Sequence, residues 1–189
     1  MTLYPQAFAF AVLGFVGAGP ARADTYAIDA AHSSVTFTIR HEGLLKLNAG
    51  FSKFSGTVTW NPGLTAVEAS IDVASLDTHR QGRDAALKSP DYFDVAKFPN
   101  ITFQSKAWNK TGESTYDVVG DLTIKAVTKE VTLQVKLLGM DADKGTASWD
   151  AKTTLNRMDF GVSGPSVLDH GIANKLDVVL HIEAKRESP

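Results

Sequence analysis

The sequence predicts an all-β fold of barrel or sandwich type. Three observations carry this: apolar and polar residues alternate along segment after segment, turn-forming triplets separate those segments, and helical periodicity is nearly absent. The chain has 189 residues, 43% of them apolar, which is enough for one domain with a core of its own.

Residues 26–29 form a short first strand. Val35, Phe37 and Ile39 then alternate with Thr36, Thr38 and Arg40. Residues 48–60 read as one long third strand, in which Gly50, Gly56 and the spacing of Phe51 and Phe54 predict a bend or bulge. Ala69, Ile71 and Val73 continue the pattern, as do Ile101 and Phe103. Tyr116, Val118, Gly120, Leu122 and Ile124 share one face, and so do Val131, Leu133, Val135 and Leu137. Trp149, Ala151, Thr153 and Leu155, then Leu176, Val178, Leu180 and Ile182, complete the series. Turns fall at Asn61-Pro62-Gly63, Lys110-Thr111-Gly112 and Asp143-Lys144-Gly145. About eight or nine strands result. One face of each is apolar and the other carries Thr, Lys, Asp and Gln, so the sheet has one wet side and one shared interior. A sandwich filled by its own side chains and a closed barrel both satisfy this pattern.

Residues 79–99 hold the only helical signals. Residues 83–87 fit one turn, and Ser89-Pro90-Asp91 reads as an N-cap, a proline at the first helical position and an acid in the first turn. A 20-residue connection of this kind suggests a lid or plug.

The N-terminus reads as an export signal. Residues 7–18 are an apolar run too short to span a bilayer, and Ala21-Arg22-Ala23 has the small-x-small pattern of a cleavage site. Residues 1–23 are therefore expected to be a signal peptide cleaved after Ala23, leaving residues 24–189 as a single domain. The chain has no cysteine, so disulfides and lipidated Cys anchors are excluded. With 19 basic and 21 acidic side chains, the net charge of −2 gives no reason to expect nucleic acid or an anionic membrane surface as partner.

From Thr78 the chain reads T-H-R-Q-G-R-D-A-A-L-K-S-P-D-Y-F-D-V-A-K-F-P-N-I-T-F. This resembles the hallmark segment of the YceI-like family of lipocalin-like polyisoprenoid-binding proteins. Residues 28–41 (I-D-A-A-H-S-S-V-T-F-T-I-R-H), 120–133 (G-D-L-T-I-K-A-V-T-K-E-V-T-L) and 156–162 (N-R-M-D-F-G-V) match further family segments in order. The resemblance spans essentially all of residues 24–189. One departure is Ala126, where the family usually has Gly; its methyl group argues for a negative φ there. The resemblance implies an extended antiparallel eight-stranded lipocalin-like barrel with a short helical segment near residues 83–95. It further implies a periplasmic location and an apolar tunnel holding a polyprenyl phosphate or an isoprenoid quinone. It implies carriage, storage or buffering of that lipid, with no catalytic constellation.

Binding of a prenyl chain calls for inward apolar residues: Phe37, Ile39, Phe51, Phe54, Ile71, Phe93, Phe103, Leu122, Trp149, Phe160 and Leu180 are the candidates, each equally able to serve as plain core packing. At ~0.8 kcal/mol per buried CH₂, about ten enclosed carbons offer roughly micromolar binding before the cost of ordering the chain is subtracted. Arg83 can offer a phosphate or quinone oxygen its planar fork of donors, or can simply pair with Asp84, which can also cap the turn. Arg157 with Asp159 invites the same two readings. His79 stands beside Arg80 and near Arg83, which makes it a further candidate at a polar mouth.

The five histidines (32, 41, 79, 170 and 181) lack metal-ligand spacing, and no metal or cofactor is expected beyond the lipid itself. No G-x-S-x-G elbow, cysteine nucleophile or phosphate-binding glycine loop occurs, and Ser33 beside His32 reads as adjacency in a strand. A lyase or hydrolase acting on an apolar substrate would need a buried titratable group, with His41, His79 or Asp84 the first suspects. No second long apolar run is present, so stable membrane insertion is not expected, while a homodimer stays open.

Overall fold

The computed structural model describes residues 24–60, 65–165 and 169–187. The N-terminal apolar run with its cleavage point after Ala23, and the turn at Asn61-Pro62-Gly63, lie outside the described residues.

The strands are β1 (Asp24–Ile28), β2 (Ser34–His41), β3 (Leu45–Phe51), β4 (Phe54–Trp60), β5 (Ala66–Asp72), β6 (Leu76–Asp77), β7 (Asn100–Lys110), β8 (Thr115–Ile124), β9 (Val127–Asp141), β10 (Thr146–Asn156) and β11 (Ile172–Arg186). All pairings are antiparallel. The order β1-β4-β5-β7-β8-β9-β10-β11 closes on itself through β1–β11, giving a barrel of eight strands. That closure decides against the sandwich. β11 is long enough to pair with β2 over Ile172–His181 and then with β1 over Ala184–Arg186, so β1 and β2 lie end to end along its flank. β3 and β4 are likewise one strand path interrupted at Ser52-Lys53, within the stretch where the glycines and phenylalanines predict a bend. β6 adds to β3, so the wall extends at this end beyond the closed ring.

The break between β1 and β2 is an Asx turn. Asp29 accepts from the Ala31 amide at 3.1 Å, and its other oxygen accepts from Lys185 Nζ on β11 at 2.6 Å. His32 and Ser33 therefore sit in a turn and not in a strand, which corrects the sequence reading. The Ser33 hydroxyl instead bonds the Glu183 backbone on both sides.

The helical segment also differs from expectation. α1 spans Gln81–Lys88, and Ser89 ends it as C-cap. Pro90 disfavours a helical conformation at the residue before it, and Ser89 is extended (φ −68°, ψ 167°). The Ser89 hydroxyl donates back to the Ala86 carbonyl at 2.7 Å, and residues 90–97 continue as turns. Leu87, Tyr92, Phe93 and Val95 pack against Val73, Leu76, Ile101, Ile124 and Phe160, so this segment covers one end of the barrel.

Lys125-Ala126 is a two-residue hairpin loop with φ of 49° and 62°, because Ile124 and Val127 pair directly. Positive φ at both loop residues matches the strand twist. Tertiary pairing thus overrides the negative φ expected at Ala126. No helix among the described residues is long and apolar enough to cross a membrane.

Candidate functional site

The inward faces of the strands do not fill the barrel. They leave a cavity of about 280 Å³ lined almost wholly by carbon. That is near the low end of the ~300–1,000 Å³ usual for small-molecule pockets. The space is long: Ile172 and Ile182 both line it, ten residues apart on β11, or about 33 Å of strand path. A small volume over such a length is a narrow bore, suited to an extended chain.

One end is shut by aromatic rings. Trp60 meets Trp108 at 5.8 Å, Tyr116 at 5.7 Å and Trp149 at 6.0 Å between centroids, and Tyr26 stands edge-on to Trp149 at 6.3 Å. Trp108 reaches this cluster only because β7 changes phase. Ile101 and Phe103 face inward, the register shifts between Ser105 and Ala107, and Trp108 then faces inward although its number is even. Sequence alternation alone missed it, as it missed Trp60 and Tyr116 as members of a plug.

The other end, under α1 and the β10–β11 connection, is the polar one. Thr78, Arg83, Tyr92, Arg157 and Asp169 all reach the cavity there. Arg157, 7% exposed, forms a two-pronged ion pair with Asp169, Nη1 to Oδ1 at 2.8 Å and Nη2 to Oδ2 at 2.9 Å. Its other donor directions go to the carbonyls of Ala173 and Val162. Its partner is thus Asp169 and not Asp159, which accepts from Asn156. Burial and the nearby Asp169 charge push the Tyr92 hydroxyl pKa up, so it stays protonated.

Arg83 is less satisfied. Its Nη2 donates to the Thr78 carbonyl at 2.7 Å, while its Nε is buried with no acceptor. Asp84 turns the other way: its Oδ1 accepts from both the Thr78 amide and hydroxyl, and the Thr78 hydroxyl in particular holds its pKa below the usual carboxylate range. Trp149 Nε1 is a second buried donor without a partner. Buried donors are rarely left unpaired, which makes both notable.

Of the sequence candidates, Phe37, Ile39, Phe51, Phe54, Ile71, Arg83, Phe93, Phe103, Leu122, Trp149, Phe160 and Leu180 all line the cavity. Asp84 and His79 do not. The His79 side chain is 82% exposed and lies beside Asp77, because φ of 61° at this residue turns it outward. His41 is likewise off the lining, so none of the three residues first suspected for catalysis faces the bore. The titratable groups that do are Arg83, Tyr92, Arg157 and Asp169; Tyr92 and Asp169 carried no signal in strand periodicity because they sit in connections. Among the described residues no cluster of His, Asp and Glu could hold a metal ion.

Comparison with known proteins agrees with this architecture. The chain is 35% identical to a UPF0312 protein of Pseudomonas putida, covering 96% of this chain and 98% of that one. It is also 35% identical to Protein YceI of Escherichia coli, covering 94% and 95%. Among solved structures, Burkholderia cenocepacia BcnA superposes with a TM-score of 0.77 at 27% identity, covering 84% of this chain and 99% of BcnA. A polyisoprenoid binding domain from Saccharophagus degradans superposes at 0.73 with 16% identity, a likeness of fold, covering 86% and 98%. Residues 26–184, nearly the whole described barrel, match the YceI-like domain, and the chain belongs to that family.

Proposed function

We propose that this protein binds an isoprenoid lipid, a polyprenyl phosphate or isoprenoid quinone, and carries or buffers it in the periplasm without chemical turnover. The observation that carries the reading is the narrow apolar bore, closed by tryptophans at one end and rimmed by Arg83 at the other. The polyisoprenoid binding described for the Saccharophagus degradans domain supports it.

In this reading the tail occupies the axis between Phe37, Phe51, Phe103, Leu122 and Leu180, and the head-group oxygen lies near Arg83. The vacant Nε donor then gains an acceptor, which offsets the cost of its burial. Arg157 and Asp169 saturate one another and serve as a fixed wall. Export by residues 1–23, with cleavage after Ala23, would deliver the domain to the periplasm.

The test is purification of the exported protein under native conditions, followed by organic extraction and mass spectrometry. One prenyl lipid per one or two chains is expected. A protein that yields no apolar ligand and takes up none of an added quinone overturns the proposal.

A further inference from the structure

The hairpin joining β2 and β3 presents the most exposed large apolar side chains among the described residues, Leu44 at 86% and Leu45 at 60%. Glu42 and Gly43 make the turn with φ of 51° and 72°. The tip is braced: the Glu42 amide donates to the Gly171 carbonyl at 2.7 Å, and the Leu44 amide to the His41 carbonyl at 3.3 Å. Two leucines are thus held out on a supported ridge.

The residues flanking the tip are basic. Arg40 and Lys46 are direct cross-strand partners, a like-charge pairing that costs stability unless an anion stands nearby. They share an outer groove with Lys175 and Asp177, and the Asp177 carboxylate accepts from the Thr154 hydroxyl. Among the described residues no carboxylate lies within ion-pair distance of Arg40, Lys46 or Lys175. Glu42, at the turn itself, is the one acid between Arg40 and Lys46.

The tip also marks one end of the bore. The pair Ile39 and Leu47, two residues behind it, lines the cavity, as does Ile172 beside His41. This is the polar end, opposite the tryptophans.

We infer that the β2–β3 tip docks the barrel onto a lipid bilayer bearing anionic head groups. Leu44 and Leu45 enter the interface, while Arg40, Lys46 and Lys175 meet lipid phosphates. Docking then sets the end of the bore that lies under α1, opposite the tryptophans, against the phase in which an apolar chain is dissolved. A second copy of this chain fits the tip poorly, because tip-to-tip contact brings two Arg40–Lys46 pairs together.

Flotation of the full exported protein tests this, using vesicles of phosphatidylcholine alone and of equimolar phosphatidylcholine and phosphatidylglycerol. The protein is expected to float with the anionic vesicles and to dissociate as salt rises. The double variant Leu44→Asp, Leu45→Asp should lose roughly tenfold or more of that binding with its thermal unfolding unchanged. Arg40→Gln with Lys46→Gln should remove the preference for anionic vesicles. No flotation, flotation unaffected by the variants, or equal flotation with both vesicle types overturns the inference. So does a dimer in vesicle-free solution that the leucine variant abolishes. The inference stands apart from the nature of the bore's occupant. Lipid recovered from a protein that ignores vesicles overturns docking alone, and vesicle binding by a protein that yields no lipid overturns the carrier reading alone.

Discussion

Ala126 sits at φ 62° in a two-residue loop whose handedness is dictated by the strands on either side. An L-residue with a Cβ pays roughly 1–2 kcal/mol for that conformation, and glycine does not. Ala126→Gly should therefore stabilise the fold by about 1 kcal/mol in urea denaturation with an unchanged m-value. Arg157 is the opposite case, a residue whose every donor direction is used. Arg157→Ala leaves Asp169 unpaired in a site where it is 15% exposed, at an expected cost of ~3–5 kcal/mol. Arg157→Lys should recover little of this, because an ammonium cannot match the carboxylate with two parallel bonds and also reach the Val162 carbonyl. Gly164 shows how closely this end is fitted: a Cβ there would lie 2.1 Å from the Tyr92 ring.

At the scale of elements, the turn between β1 and β2 is where barrel closure is pinned. Hydrogen bonds first from Lys185 and then from His32 hold the Asp29 pKa down to about 2. An unfolded chain titrates this carboxyl near its ordinary value, ~4. The folded-state pKa is the lower one, so the contribution is complete above about pH 4 and is lost as pH falls through about 2. Asp29→Asn should lower the melting temperature at neutral pH and show a shallower fall in melting temperature between pH 4 and pH 2 than the parent. A parallel pair of pH profiles would count against this role. The helical connection obeys equally local rules: Pro90 ends α1 at Ser89, and the turns that follow lay Tyr92 and Phe93 over the barrel end.

For the whole molecule, the question is whether the interior is packing or vessel. Ala151 lies on the bore wall between Leu180 and Val135 and is itself buried. In a filled core, Ala151→Phe would overpack and cost ~1–3 kcal/mol. In a hollow one, the ring enters vacant space. We expect Ala151→Phe to melt within a few degrees of the parent yet to retain at least roughly tenfold less lipid through native purification. A large loss of stability with lipid retained would show that the space is not the binding site. Arg83→Ala provides the companion measurement: retention should fall sharply while stability drops by only about 1 kcal/mol, since the one protein bond lost is that from Nη2 to the Thr78 carbonyl and the buried Nε has no protein acceptor to lose.

Much of this was decided locally. Alternation of apolar residues along β2, β8, β9, β10 and β11 needs only the two-residue period of a strand, so the inward faces were legible residue by residue. Twelve of the proposed site residues, from Phe37 to Leu180, line the bore; most obey that period or sit in the recognisable segment after Thr78, while Phe51 and Phe54 flank the break between β3 and β4 and Phe160 lies in the separate segment 156–162. What needed three dimensions was everything set by partners distant in the chain. Closure of β1 on β11 made a barrel and not a sandwich, and the bulge in β7 turned Trp108 inward. Packing placed Asp169 on Arg157, and a turn sent His79 out to solvent. Sequence alone determined an apolar inner face. The tertiary structure decided that the face encloses a bore, because a ring of eight tilted strands can leave room along its axis that no single strand reveals.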